Sequence, residues 1–270
     1  MKISIVTISY NQGQFLEKTI LSVIQQNYPD LEYIIIDPGS TDGSREIIEK
    51  YRDHIARIAF EPDEGPADGL NKGFKYARGE IFAFLNADDT LLPGALHTVA
   101  KFFMNNPDTD LVMGNGYKIN EKDEVIRPLY VTPFTKKLYV YRAVTIIQQA
   151  TFFRREAYQS TGGFNPTYHT CWDGELFLQM ARNGSKFACM NKFLANFRIH
   201  PNSISGGGSS KLEKEYLQDC QRLFKEVMNR EENIFDHFLN GYYRLWKWIT
   251  APQATITKLV PNKNKIKKLL

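Results

Sequence analysis

The chain is poor in cysteine and has no long apolar run. Cys171, Cys189 and Cys220 are the only cysteines in 270 residues; they are odd in number and form no close pair. A disulfide framework or a zinc site is therefore not expected, and a reducing compartment fits better. No window reaches the roughly 20 apolar residues of a membrane span. The opening Met1-Lys2-Ile3-Ser4-Ile5-Val6 is too short in its apolar stretch for a secretory signal. The expected location is the cytoplasm, with the inner face of the cell membrane left open. Glycine-rich phosphate signatures are missing too. Without a G-x-G-x-x-G fingerprint a dinucleotide oxidoreductase is disfavoured. Without a basic glycine-rich loop near the first strand a nucleotidyltransferase ranks last. A net charge of +4 gives no case for nucleic acid, although residues 261–270 carry four lysines and no acid.

The chain does contain alternating strands and helices. Ile3 to Ser9 reads as a buried strand, broken by Asn11-Gln12-Gly13. Leu16, Ile20, Val23 and Ile24 then recur at helical spacing between Gln14 and Gln25. Tyr33 to Ile36 and Arg57 to Phe60 read as strands around a helix that carries Ile47, Ile48 and Tyr51. Pro66 to Ala77 is a helix, Ile81 to Leu85 a strand, and Pro93-Gly94 opens another helix. This order implies an α/β fold with a mainly parallel central sheet flanked by helices. In such sheets ligands bind beyond the carboxyl ends of the strands, where Ser9, Asp37 and Asp88 fall. Later segments add Leu111 to Tyr117 and Gln149 to Arg155 as strands. Leu176 to Arg182 is a short helix, and Lys186 to Arg198 is strand-like with a break at Lys192. Ser203 to Ser210 has the composition of a linker or mobile loop, and Lys211 to Thr250 is helical in pattern.

The run Ile81-Phe82-Ala83-Phe84-Leu85 ends at Asn86-Ala87-Asp88-Asp89. Adjacent carboxylates at one sheet edge repel unless a partner compensates them. Mg²⁺ or Mn²⁺ shared with substrate phosphates would do so; read alone, the pair is equally an acidic turn. Asp173, just before the apolar helix of Leu176, Phe177 and Met180, is the candidate general base. A helix N-terminus favours the ionised carboxylate, though the residue could instead only cap that helix. His200, at a strand end beside the glycine run, could ligate a metal or touch a phosphate.

Together these segments resemble glycosyltransferase family 2, inverting enzymes with the GT-A fold. The matching pieces are Val6-Thr7-Ile8-Ser9-Tyr10-Asn11, Asp37-Pro38-Gly39-Ser40-Thr41-Asp42-Gly43-Ser44, Ala67-Asp68-Gly69-Leu70-Asn71-Lys72-Gly73 and Gly79 to Asp89. Gly162-Gly163-Phe164, Asp173-Gly174-Glu175-Leu176 and Arg198-Ile199-His200 follow in order. The resemblance covers about residues 1–205: a nucleotide-sugar half at 1–110 and an acceptor half at 111–205, with 206–270 a loop and helical extension. It implies sugar transfer from a nucleoside-diphosphate donor, a UDP-sugar by expectation, to a glycan or lipid-linked acceptor in surface polysaccharide or lipid-linked glycan assembly. Ser9, Tyr10 and Asp37 would line the nucleoside pocket, and Asp68 and Asn71 would face the ribose or sugar. Asn86, Ala87 and Asp88 would complete the donor site. Asp88, Asp89 and His200 would serve Mg²⁺ or Mn²⁺. Asp173 would deprotonate the acceptor, Glu175 and Gln149 would touch it, and Trp172 beside the base could stack on an acceptor sugar or simply pack in the core. Two departures stand out: Pro38 replaces a frequent second acid, and Asn86 replaces the first acid of the usual DxD. They keep a non-catalytic nucleotide-sugar-binding scaffold open as the alternative.

The C-terminal segment mixes Phe224, Phe235, Phe238, Tyr242, Tyr243, Trp246 and Trp248 with Arg244, Lys247 and later lysines. Aromatics among cations suit a membrane interface through residues 211–270. They suit equally a helix packed on the catalytic domain or on a second subunit, so a homodimer also stays open.

Overall fold

The computed structural model describes residues 1–201, 203 and 210–254. The glycine run 206–208 and the lysines of 261–270, both singled out from the sequence, lie outside the described residues. Within them, the apolar runs become the centre of one sheet. β1 (Ile3–Ile8) and β2 (Leu31–Ile36) are almost wholly buried, as is β4 (Ile81–Asn86). Strands covered on both faces carry near-continuous apolar sequence, which is what these three show.

The first four strands are parallel. β1 lies between β2 and β4, with Ile3 opposite Leu31 on one side and Ile81 on the other. β3 (Arg57–Ala59) adds to the outer edge of β2. Three helices make the crossovers: α1 (Gly13–Ile24), α2 (Ser44–Lys50) and α3 (Pro66–Tyr76). The connections from β1 to β2 and β3 run one way, and β4 returns to the other side of β1. A crevice opens at that reversal, outside the carboxyl ends of β1 and β4. The register puts Ile8 opposite Asn86, so Ser9 and the Ala87-Asp88 turn emerge side by side.

Beyond β4 the parallel character gives way to mixed pairing. After β5 (Thr90–Leu91) and α4 (Ala95–Asn105) come β6 (Leu111–Ile119), β7 (Val125–Leu129), α5 (Lys136–Val140), β8 (Thr151–Arg154) and α6 (Arg155–Gln159). α7 (Trp172–Arg182) and β9 (Phe187–Arg198) follow. The sheet order is β3-β2-β1-β4-β8-β6-β9-β5, with β7 paired to β6. β8 is antiparallel to β4 and β6, whereas β9 runs parallel to β6 and antiparallel to β5. The break expected at Lys192 is a bulge: the register slips between Gly114 opposite Met190 and Gly116 opposite Ala195. Such a bulge bends a strand and re-aims its end. Here the end carries Arg198 and leads to His200.

Two apolar layers cover the sheet. One contains Leu16, Ile20, Val99 and Phe103 from α1 and α4. The other contains Leu70 and Phe74 from α3 with Leu176 and Phe177 from α7. The segment read as one helical stretch is two helices, α8 (Ser210–Met228) and α9 (Ile234–Thr250). Asn229 turns the chain with φ of +53°, and Asn233 opens α9 with a capping box to Asp236. α8 packs on the domain through the buried Leu223 and Phe224. Phe224 is thus a core residue edge-on to Tyr141, not part of an exposed aromatic face.

α3 lies close on β1 because Gly73 has no side chain: a Cβ there would come within 2.3 Å of Val6 Cγ1. Gly73→Ala is expected to destabilise the protein by about 1–3 kcal/mol through overpacking, despite its better helix propensity. The check is a lower urea midpoint at unchanged m-value.

Candidate active site

The crevice at the ends of β1 and β4 is a cavity of about 540 Å³, lined by Ser9, Tyr10, Pro38, Asp63, Asn86 and Asp88 among others. Its walls hold polar atoms without partners. Ser9 Oγ, Gln12 Oε1 and Asn86 Oδ1 are buried and make no hydrogen bond, and all three residues line the cavity. Each such atom costs about 1–3 kcal/mol unless something satisfies it. Their convergence on one cleft is the signature of a polar ligand. Asp37 sits just behind, fully buried. Its Oδ1 accepts from Gly39 N, Ser40 N and Arg45 Nε, at 3.1, 2.8 and 3.1 Å, while Oδ2 is left without a partner. Asp37 therefore shapes the Pro38–Ser40 turn, and Pro38 rather than Asp37 lines the cavity.

The acidic turn after β4 is held from three sides. Thr19 Oγ1 of α1 donates to the carbonyls of Ala87 and Asp89, both at 2.7 Å. Arg198 Nε at the end of β9 donates to the Asp88 carbonyl at 2.7 Å, and Arg198 N donates to Asp89 Oδ1 at 2.8 Å. Gln149 Nε2 donates to Asp89 Oδ2 at 2.7 Å. Both oxygens of Asp89 are thus engaged, and burial followed by the neighbouring Asp88 charge pushes its carboxyl well above the usual range. With both oxygens taken, Asp89 braces the turn rather than offering a free oxygen to the expected metal, although it lines the first cavity, and its partner Gln149 lines the second, described below.

Asp88 differs from its neighbour. Its Oδ2 lies 3.0 Å from His200 Nε2, and it lines the cavity. His200 is buried, with Nδ1 unpartnered and its ring 4.9 Å from that of Phe15. Among the described residues no three His, Cys, Asp or Glu side chains form a metal cluster. Asp88 with His200, and the unpartnered Asn86 Oδ1, instead fit a cation that takes its remaining ligands from a diphosphate, as Mg²⁺ commonly does.

A second cavity of about 440 Å³ adjoins the first; Asn86, Trp172 and Phe197 line both. Asp173 opens into it, on the first turn of α7. Burial raises its carboxyl to about 6, and the Gly174 N–H that Oδ1 accepts at 2.7 Å only partly offsets this. No side chain caps α7 through its N-cap residue Cys171. Asp219 of α8 holds the two residues before the helix, accepting from Thr170 N, Thr170 Oγ1 and Cys171 N at 2.9, 2.7 and 3.2 Å. Asp173 faces the second cavity, in the ionisation range of a general base. Trp172 is part of the wall between the cavities and packs on Phe84 and Phe164. It is a core residue that also shows a face to each cavity.

Three expected site residues point elsewhere. Asn71 Nδ2 donates to Phe164 O at 2.8 Å, and Oδ1 accepts from Phe164 N at 2.8 Å, so this side chain pins the Gly163-Phe164 loop to α3. Asp68 pairs with Lys72 at 2.7 Å and lines neither cavity. Asp63, which the motif reading passed over, lines the first cavity in its place. Glu175 is buried and lines neither cavity; it accepts from Gln179 and feels the charges of Glu226, Arg222 and Arg182. The sequence reading also missed the roles of Thr19, Arg198 and Asp219. Of these only Arg198 lay within a quoted motif.

The family model for glycosyl transferase family 2 matches residues 4–162. The chain is 30% identical over 235 residues to the putative teichuronic acid biosynthesis glycosyltransferase TuaG of Bacillus subtilis, covering 82% of this chain and 89% of that protein. Its fold is similar to that of residues 1–349 of S. aureus TarS in complex with UDP-GlcNAc. The TM-score is 0.67 and the identity 18%, over 93% of this chain and 73% of that one; against a longer TarS chain the share is 44%. The mannosyltransferase PcManGT of Pyrobaculum calidifontis, in complex with GDP-Man and Mn²⁺, aligns with a TM-score of 0.64 at 17% identity, over 95% of this chain and 72% of that one. These structures have the GT-A fold, and so does this chain.

Arg198→Met should cost about 3–5 kcal/mol, because it leaves the Asp88-Asp89 turn and Asp123 without their buried guanidinium. Chemical denaturation measures this, and a loss below about 1 kcal/mol would mean that the turn holds itself.

Proposed function

The chain belongs to glycosyl transferase family 2, and on that premise we propose that it transfers a sugar from a nucleoside-diphosphate donor to an acceptor hydroxyl with inversion at the anomeric carbon. The observation that carries this reading is the pair of adjoining cavities: one has unpartnered polar atoms beside Asp88, the other holds Asp173, and Trp172 is common to both. Ser9, Tyr10 and Gln12 border the nucleoside end, and a UDP-sugar is the expected donor. Asp88 and His200 would hold Mg²⁺ or Mn²⁺ with the diphosphate oxygens, and such an ion supplies charge compensation to a departing diphosphate. Asp173 takes the proton of the acceptor hydroxyl, whose oxygen then attacks the anomeric carbon from the face opposite the diphosphate. Trp172 and Phe197 exclude water between the two substrates. Asp173 at this wall favours catalysis over a purely binding role.

TuaG is named for teichuronic acid biosynthesis, and assembly of a surface or lipid-linked glycan at the cytoplasmic face of the membrane is the corresponding setting here. No helix among the described residues is long and apolar enough to cross a membrane. α9 instead supports peripheral contact. Ile234, Phe235, Phe238 and Tyr242 recur along it and are exposed, with Phe235 at 72% and Phe238 at 73%. A stripe of this kind suits the boundary between headgroups and acyl chains.

The proton chemistry has a testable sign. Asp173 must be ionised to act, so kcat/KM should rise as pH passes through about 6 and level off above it. Asp173→Asn should retain UDP binding and lose transfer by about 10²–10⁴-fold. A folded-state pKa raised above the unfolded value means that Asp173 contributes stability below the unfolded pKa and loses it as pH rises through about 6. Asp173→Asn should therefore raise the thermal midpoint in mildly alkaline buffer and lose that gain in acid. A variant with parental turnover would remove the assignment. For α9, the full chain should float with anionic vesicles, and the Phe235→Ser, Phe238→Ser double variant should not. A parent that stays with the soluble fraction refutes the membrane contact.

A further inference from the structure

The second cavity carries a charge imbalance that proton transfer does not use. Arg127 from β7 and Arg142 just after α5 line it, with Asp173 the one acid among the described lining residues. Arg127 and Arg142 make no ion pair with any described residue. Arg142 stands at a left-handed φ of +54°, and its Nε is buried without a hydrogen-bond partner. Lys247 is buried and donates to Thr145 Oγ1 at 2.5 Å. Nor are the arginines counter-ions to Asp173: the influences on its carboxyl are burial and backbone N–H groups, not a neighbouring cation. Cations gathered in a partly enclosed space repel one another and lose hydration unless an anion joins them. Tyr130, Trp172 and Phe197 interleave with them and offer flat faces to sugar rings.

We propose that the acceptor is an anionic glycan: its reacting sugar lies by Asp173 and Trp172, and its carboxylate or phosphate is held by Arg127 and Arg142. This rests on the first cavity being the donor site. Guanidinium forks match either anion, because both present paired oxygens to two N–H groups. The like charge of Asp173 places the anion on the arginine side of the cavity rather than beside the base.

A printed array of oligosaccharides in matched neutral, uronate-bearing and phosphate-bearing forms, probed with the full chain plus UDP and Mn²⁺, tests this. The anionic members should be retained over their neutral counterparts, and whichever of the two anions is kept identifies the source. R127Q and R142Q should each weaken retention by about tenfold, the scale of one charge-assisted hydrogen bond, with R127K and R142K recovering part of it. Calorimetric UDP binding should be the same in all four variants, because these arginines line the second cavity and not the first. Neutral glycans held as well as anionic ones, no glycan held at all, or glutamine variants that behave as the parent would each overturn the proposal. A parent that does not bind UDP would instead remove the reading of the first cavity, and this one with it.

Discussion

A fully buried guanidinium, that of Arg198, reaches from the end of β9 to the turn after β4. Nε donates to the Asp88 carbonyl, Nη1 to the Asn120 carbonyl at 2.9 Å, and Nη2 pairs with Asp123 at 2.6 Å. Its ring neighbour is Phe15 of α1, 4.8 Å away. Because the residue two further on is His200, this one knot sets both the direction of the Asp88 side chain and the place of the imidazole beside it. An arginine suits the position because it stays charged when buried and offers five donors in a fixed plane. The bulge in β9 and the register of β1 against β4 bring these segments within reach of one another.

Around that knot the protein separates polar groups that are satisfied from those that are not. Asp89, a carboxylate's breadth from Asp88, has both oxygens occupied and is structural. Ser9, Gln12, Asn86 and His200 each keep a buried atom without a partner. A folded protein tolerates such atoms where a ligand completes them. The first cavity is therefore legible as much from the bonds that are missing as from the residues that line it. The second cavity repeats the pattern in charge: two arginines with no ion pair to any described residue, and an aspartate raised by burial.

Much of this was readable in the chain itself. The four parallel strands, their helices and the crevice at Ser9 and Asp88 follow from apolar runs and turn residues, because burial on both faces leaves a plain mark in sequence. The position of Asp173 beside the crevice was expected from motif order, and the two cavities share a wall. Side-chain direction was not readable. Asn71, Asp68 and Glu175 have the right chemistry in the right motifs, yet each is turned to a neighbour on its own helix or to a packed loop. Asp219 holds Cys171, just before α7, from a helix 48 residues away, a contact that no local spacing announces. The later strands were readable as additions to one edge of the sheet, but not which strand each would pair with, because short strands of ordinary composition do not encode their partners.

The central claim is that Asp88 and Asp173 serve one reaction across the Trp172 wall. A crystal structure with a bound UDP-sugar and Mn²⁺ tests it most directly, with the metal located by its anomalous scattering. The account predicts a manganese peak against the Asp88 carboxylate and the anomeric carbon turned toward the cavity of Asp173. A diphosphate seated away from Asp88, or a sugar whose anomeric carbon faces away from Asp173, would contradict it.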